Sequence, residues 1–326
     1  MGSVRVASVL DLARIEEIQR EGGGELSDTA SRGPVRLWSL VSQTLSAIVP
    51  AFYGETLLLV AEVGGKVVGF IQAANRPVGL GLAGATTLQV LNLCVDPKAV
   101  EPDEIGPELI DTLCNEALNR GIFRLFARLP LDDPLTPIFR KHSFRQYAIE
   151  YVLYNEAPQT RDTPEPHGLR PERRKDFAQL YQLYRKVTPP GVATAEAPTF
   201  KDWRGLNGEW FGHSSIRGQN EQQFVVDRVE ISGWLRVQRS SSTRPHALSF
   251  MTLPEEPLPQ ELADHALSLL GPSPGAVWSS LRHYDSHMIE ALRERGFETL
   301  VHQSLMVKEL AARVPARQKG LVPAFG

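Results

Sequence analysis

Along the first 155 residues the apolar positions change period several times, and each change marks an element. From Ala7 to Gly24, Leu10, Ile15 and Ile18 recur at helical spacing until three glycines end the pattern. The segment 35–54, "VRLWSLVSQTLSAIVPAFYG", predicts a second amphipathic helix. Residues 56–75, "TLLLVAEVGGKVVGFIQAAN", turn to β-branched-rich runs about a Gly-Gly pair, the signal of a hairpin. "TTLQVLNLCVDP" (86–97) is a further strand ended by proline. A helix follows over 106–121, with Pro107 as its first helical residue and Gly121 at its end. "IFRLFARLP" reads as a strand, "DPLTPIFRKHS" as a short helix, and "FRQYAIEYVLYNE" as a closing strand. The order is β-α-α-β-β-β-α-β-α-β, and after a polar, proline-rich stretch it runs again in shorter strokes.

The second run keeps landmarks of the first. Arg5 and Asp11 stand six apart, as do Arg170 and Asp176, 165 residues later. Gly69 in "VVGFIQ" pairs with Gly233 in "ISGWLRVQ", 164 later, while Asp132 pairs with Asp285 and Phe144 with Phe297, 153 later. A separation that shrinks only through loop deletions marks a duplication. The expected organisation is therefore two similar domains, 1–154 and 168–310, with a linker at 155–167 and a poorly ordered tail at 311–326. A length of 326 residues suits two units, each able to bury a core.

With its opening "R-x-A-x-x-x-D-L-x-x-I" (Arg5–Ile15), its hairpin ending "VVGFIQ", the strand "LNLCVDP" and the "FRKHSF" segment, the chain resembles the GNAT superfamily of acyl-CoA-dependent N-acyltransferases over both halves, Arg5 to about Glu309. The resemblance implies an α/β fold of two tandem GNAT-like domains, each a central mixed β-sheet flanked by helices. It also implies acetyl-CoA or another acyl-CoA as co-substrate, with an amine of a small molecule or peptide as acceptor. In such proteins the strand equivalent to "LNLCVDP" splays from its parallel neighbour and leaves backbone groups for the pantetheine arm, which here points to Leu93, Cys94 and Val95. A loop of pattern Q/R-x-x-G-x-G/A then wraps the pyrophosphate, which points to Ile105, Gly106 and Pro107.

That loop departs from the pattern. Glu101 replaces the basic or amide residue, Glu104 the central glycine, and three carboxylates crowd the position. At about 4 Å and an effective dielectric near 20, one such carboxylate opposes a phosphate by about 4 kcal/mol, more than the roughly 0.3–2 kcal/mol a helix N-terminus returns. The corresponding loop of the second half has no glycine at all. Where the family commonly carries an acidic Tyr, this chain has Phe139 and Leu292; where some members carry a basic Glu, it has Gln89 and, at the equivalent place, His246. His246 and Asp132 are thus the catalytic candidates, the first as a base near neutral pH, the second as an N-cap able to reach substrate. Trp203, Trp210, Phe211 and His213 suggest an aromatic pocket or packing between domains, and "RHYDSH" (282–287) a loop into a helix. An alternative function is a non-catalytic tandem scaffold that binds a ligand or partner.

Charge is nearly balanced, 35 Lys plus Arg against 38 Asp plus Glu, so nothing recommends nucleic acid or an anionic membrane as partner. Cys94 and Cys114 fall in apolar strand and helix patterns without metal-ligand spacing, as reduced core thiols of a cytoplasmic protein would. No apolar run approaches the ~20 residues of a membrane span, and no metal site is expected.

Overall fold

The run "TLLLVA" is unbroken because both faces of its strand are covered. The computed structural model describes residues 2–22, 56–75, 87–99, 102–159, 163–206, 221–239, 246–271 and 275–310. In β2 (Thr56–Val63), Leu57, Leu59 and Ala61 face one apolar cluster while Leu58 and Val60 face another, the period of two that a pleated strand imposes. Helix α1 (Leu12–Gly22) closes the second cluster with Ile15 and Ile18, and α2 (Pro102–Asn119) closes the first with Ile105, Leu109, Ile110 and Leu113. Leu10, expected on the buried stripe of α1, is 92 % exposed. It belongs to a 3₁₀ turn, Val9–Asp11, whose tighter period rotates it off that stripe.

Each half opens with the same ionic clamp. In β1 (Ser3–Val6), Arg5 grips Asp11 with two hydrogen bonds, 2.7 and 3.0 Å, and reaches Glu62 of β2 at 2.9 Å. In β7 (Leu169–Pro171), Arg170 grips Asp176 at 2.7 and 2.8 Å and reaches Asp227 at 2.8 Å. The carboxylates also accept backbone N–H groups of Ser8 and Arg173, so each clamp ties an edge strand to the turn that starts the next helix. The paired glycines share a task too. A Cβ on Gly69 in β3 (Lys66–Asn75) would stand 2.9 Å from Ile105 of α2, and one on Gly233 in β9 (Ile231–Gln238) 3.0 Å from Leu262 of α7 (Leu258–Leu270).

The remaining elements are β4 (Thr87–Val95), β5 (Arg124–Pro130), α3 (Thr136–Lys141), β6 (Arg145–Asn155), α4 (Phe177–Val187), α5 (Pro190–Glu196), α6 (Phe200–Leu206), β8 (Glu221–Asp227), β10 (His246–Thr252), β11 (Val277–Arg282), α8 (Ser286–Arg293) and β12 (Glu298–Glu309). The predicted helix at 35–54, Trp210, Phe211, His213 and the tail lie outside the described residues. Trp203 is buried among Leu180, Leu183, Tyr184 and Trp234, in the core of the second half. Helix α2 starts at Pro102, five residues before the expected Pro107, because Pro102 already supplies a first residue with preset φ.

The two sheets expected from the sequence are one. Its order is β1-β2-β3-β4-β5-β12-β6-β11-β10-β9-β8-β7. The two halves have exchanged their last strands: β12 lies antiparallel beside β5, β6 beside β11, and the two pair with each other at the centre. Among the described strands only β4/β5 and β10/β11 are parallel, so the mixed α/β sheet is built around two matching parallel pairs.

Candidate functional site

The parallel pairs are short. β4 and β5 pair at Thr87–Gln89 with Arg124–Phe126 and then diverge, although β4 continues to Val95 and β5 to Pro130. β10 and β11 pair at His246–Leu248 with Val277–Ser279 and diverge likewise. Past these points one edge of β4 and of β10 has no strand beside it among the described residues, and a crevice at the carboxyl end of parallel strands is where open α/β sheets take ligands.

In the first crevice, Leu93 packs into the core under α2, while Cys94 and Val95 are half-buried. Burial, and after it the charge of Asp133, pushes the Cys94 thiol up to about 12, so it stays protonated and inert. Asp96 is buried after β4, accepting from the Lys98 N–H at 2.8 Å and from the Arg14 guanidinium. Ile105 is buried against the strand core. Gly106 has ordinary backbone and faces Ile138 of α3, 3.4 Å from the position of a Cβ, and Pro107 lies in the second turn. With the helix beginning at Pro102, Gly106 no longer stands where N–H groups are free. Those belong to Asp103 and Glu104, both exposed.

Two register differences change the catalytic candidates. β4 carries a bulge: Gln72 faces Asn92 and Ala73 faces Val90, which leaves Leu91 unmatched. β10 pairs with β9 without one, Gly233 facing Thr252 and Gln238 facing Ala247. Because Gly69 and Gly233 correspond, Gln89 matches Ala247, and His246 matches Leu88 on the opposite face. His246 is buried at the paired end of β10, its N–H on the Ala276 carbonyl at 3.1 Å, and Phe250 at the crevice is roughly 13 Å further at ~3.3 Å per residue. Asp132 is exposed. The turn position held by Asp285, whose N–H bonds the carbonyl three residues back, belongs in the first half to Asp133. Phe139 and Leu292 are fully buried core residues, so neither places a hydroxyl at the crevice.

The second crevice opens into a cavity of about 150 Å³. Phe250, Met251, Leu281 and Met288 supply apolar walls, and Tyr284, Asp285, His287 and Lys186 supply polar groups. Beneath it lies a buried ionic network. Arg282 donates to Glu150 of β6 and, at 2.9 Å, to Glu196 of α5, and Arg128 of β5 stands 3.4 Å from the second oxygen of Glu150. The remaining Glu196 oxygen and the Tyr284 hydroxyl are buried without a hydrogen-bond partner among the described residues. Asp285 stands at the N-cap position of α8 without a side-chain capping bond, and its carboxylate accepts the Arg282 N–H at 3.0 Å. Burial dominates its titration and, with Glu196 adding, holds its carboxyl up to about 7 against the opposing pull of Arg282.

Sequence reasoning read "RHYDSH" as a loop into a helix, which it is, without seeing that Tyr284, Asp285 and His287 frame a cavity. The detectable signal lay in Glu150 and Glu196, charges inside apolar runs that need buried partners. Among the described residues no three His, Cys, Asp or Glu are grouped to hold a metal, and no helix is long and apolar enough to cross a membrane.

No protein-family model matches the sequence, and no curated protein matches it in sequence. Solved structures do match in fold. A GCN5-related N-acetyltransferase from Sphaerobacter thermophilus aligns over 95 % of this chain and 96 % of its own, with TM-score 0.55 and 14 % identity. A tandem GNAT protein from the clavulanic acid biosynthesis pathway aligns over 95 % and 99 %, with TM-score 0.52 and 14 % identity. A GCN5-related N-acetyltransferase from Kribbella flavida aligns over 95 % and 71 %, with TM-score 0.50 and 12 % identity. The chain has the tandem GNAT fold.

Proposed function

We propose that this chain is an N-acyltransferase that moves an acetyl or other acyl group from acyl-CoA to an amine of a small molecule or peptide. The observation that carries this reading is the edge of β4 beyond Gln89, unpaired among the described residues, where Leu93–Val95 would offer backbone donors and acceptors to the amide groups of a pantetheine arm. The amine nitrogen attacks the thioester carbonyl, the C–S bond breaks, and the nitrogen's proton passes to solvent. With a thiol pKa near 8.5, the departing thiolate leaves without a strong acid, so the absence of a hydroxyl at Phe139 and Leu292 does not forbid the reaction. Exposed Asp103 and Glu104 at the start of α2 oppose the pyrophosphate, which makes affinity weak rather than zero because solvent screens them.

Titration calorimetry with CoA and acetyl-CoA tests this. Saturable binding is expected, tightened about two- to fivefold in an Asp103→Asn, Glu104→Gln variant, the size of a screened surface effect of roughly 0.5–1 kcal/mol. No binding to either protein ends the acyltransferase reading. That outcome leaves the scaffold reading, which the apolar Phe139 and Leu292 favour.

A further inference from the structure

The segment from Arg173 to Leu206 carries a charge that the rest of the chain does not. It holds seven Lys or Arg against three Asp or Glu, net +4, whereas the whole chain is −3, so the remainder carries −7. Its three carboxylates are already engaged: Asp176 by Arg170, Asp202 by the Thr199 hydroxyl at 2.7 Å, and Glu196 by the buried Arg282. Of the cations, Lys186 is held by Glu230 at 2.6 Å, and Lys175 adds to the field on Asp176. Among the described residues no ion pair forms at Arg173, Arg174, Lys175, Arg185, Lys201 or Arg204, and all six are exposed. The fold does not require this charge. The same clamp braces the turn and helix of the first half, where Val9 and Leu10 stand for Arg174 and Lys175, and Glu16 and Glu21 for Tyr181 and Lys186. Between the cations lies aromatic surface. The Tyr181 ring centroid of α4 is 5.3 Å from that of Phe200 in α6, and the Arg204 guanidinium lies 5.4 Å over the Phe177 ring. Phe177 and Tyr181, one turn apart on α4, are half-buried, and Phe200 is 38 % exposed.

We propose that the α4/α6 surface of the second half docks a short acidic segment of a partner protein, with its carboxylates against the six cations and an apolar side chain on Phe177, Tyr181 and Phe200. Length selects a peptide segment over a nucleic acid. From Arg174 to Arg185 the surface runs about 17 Å at ~1.5 Å per residue, which roughly five or six extended residues span. Beyond it, the net −7 of the remaining chain repels a polyanion that continues. None of these residues lines the cavity of the second crevice, and docking does not depend on acyl transfer. Fluorescence anisotropy of a dye-labelled, N-acetylated EEFEEF peptide with the full-length protein tests this. Saturable binding is expected, weakened about tenfold by the double substitution Arg174→Glu, Lys175→Glu and about fivefold on raising salt from ~0.05 to ~0.3 M. Replacing both phenylalanines of the peptide by glycine should weaken it about threefold. Lys141→Glu, a reversal of an exposed charge at the end of α3, should change binding less than about twofold. Equal affinity for KKFKKF, unchanged binding in the double variant, or no binding of EEFEEF would overturn the proposal. So would tighter binding of an oligothymidylate of equal charge, which would mark a nucleic-acid surface.

Discussion

Three carboxylates show how neighbours set the direction of a titration, and they divide the pH axis between them. Asp11 and Asp176 each accept two guanidinium hydrogen bonds, which hold Asp11 well below the usual carboxylate range and lower Asp176. Their stabilisation is present above about pH 4, the unfolded value, and is lost as pH falls through their folded values. Asp285 behaves in the opposite sense. Its carboxyl is held up to about 7, so its favourable contribution is complete below about pH 4 and is lost as pH rises through 7. Urea unfolding of Asp285→Asn should therefore show a smaller loss of stability between pH 5 and pH 8 than the parent protein. Equal losses in both would place the cause elsewhere. An Asp176→Asn variant should lose stability at pH 7 and show a flatter decline in acid.

At the scale of elements, a helix lies close on a strand only where the strand omits a side chain. Gly69 lets Ile105 and Leu109 of α2 settle on β3, and a Cβ there would also stand 3.1 Å from the Cys94 carbonyl, which is backbone and cannot step aside. Gly69→Ala should cost about 1–3 kcal/mol, as overpacking does, measurable as a lowered urea midpoint with unchanged m. Gly233→Ala meets the end of a leucine side chain at 3.0 Å and should cost less. Both glycines were legible in the sequence because an omitted side chain is a composition signal, and the Arg-Asp spacing was legible for the same reason. The bulge at Leu91 was not. One extra residue leaves the apolar pattern of "LQVLNLCV" intact while reversing every face beyond it, which is why His246 aligned with Gln89 by counting but not by pairing. A separate one-residue difference between the turn and the helix after it makes Asp133, rather than Asp132, the counterpart of Asp285.

Across the whole molecule, the sequence carried the duplication but not the strand exchange. A strand's alternation says which face is buried; it does not say whose strand lies beside it, and β6 would read identically beside β5 or β11. The ionic network under the cavity was hidden for that reason, since Arg282 meets Glu150 only because β6 crosses into the second half. The exchange makes a prediction at this scale. Fragments 1–167 and 168–326, produced separately, should each lack a cooperative unfolding transition, whereas co-expression should return a one-to-one complex. Two monomeric fragments that each unfold cooperatively would show that the exchanged pairing is dispensable.

The exchange also sets a clock on synthesis. The outer edge of β5 is complete at Pro130, but the part of β12 that pairs with it begins at Gln303, so the 172 residues between them (302 − 130) must be made first. At about 5–20 residues per second, that edge waits roughly 9–34 s with its backbone groups open to any other strand. During that wait β6, complete at Asn155, is the strand made next after β5, so the final order requires β12 to take the place between them.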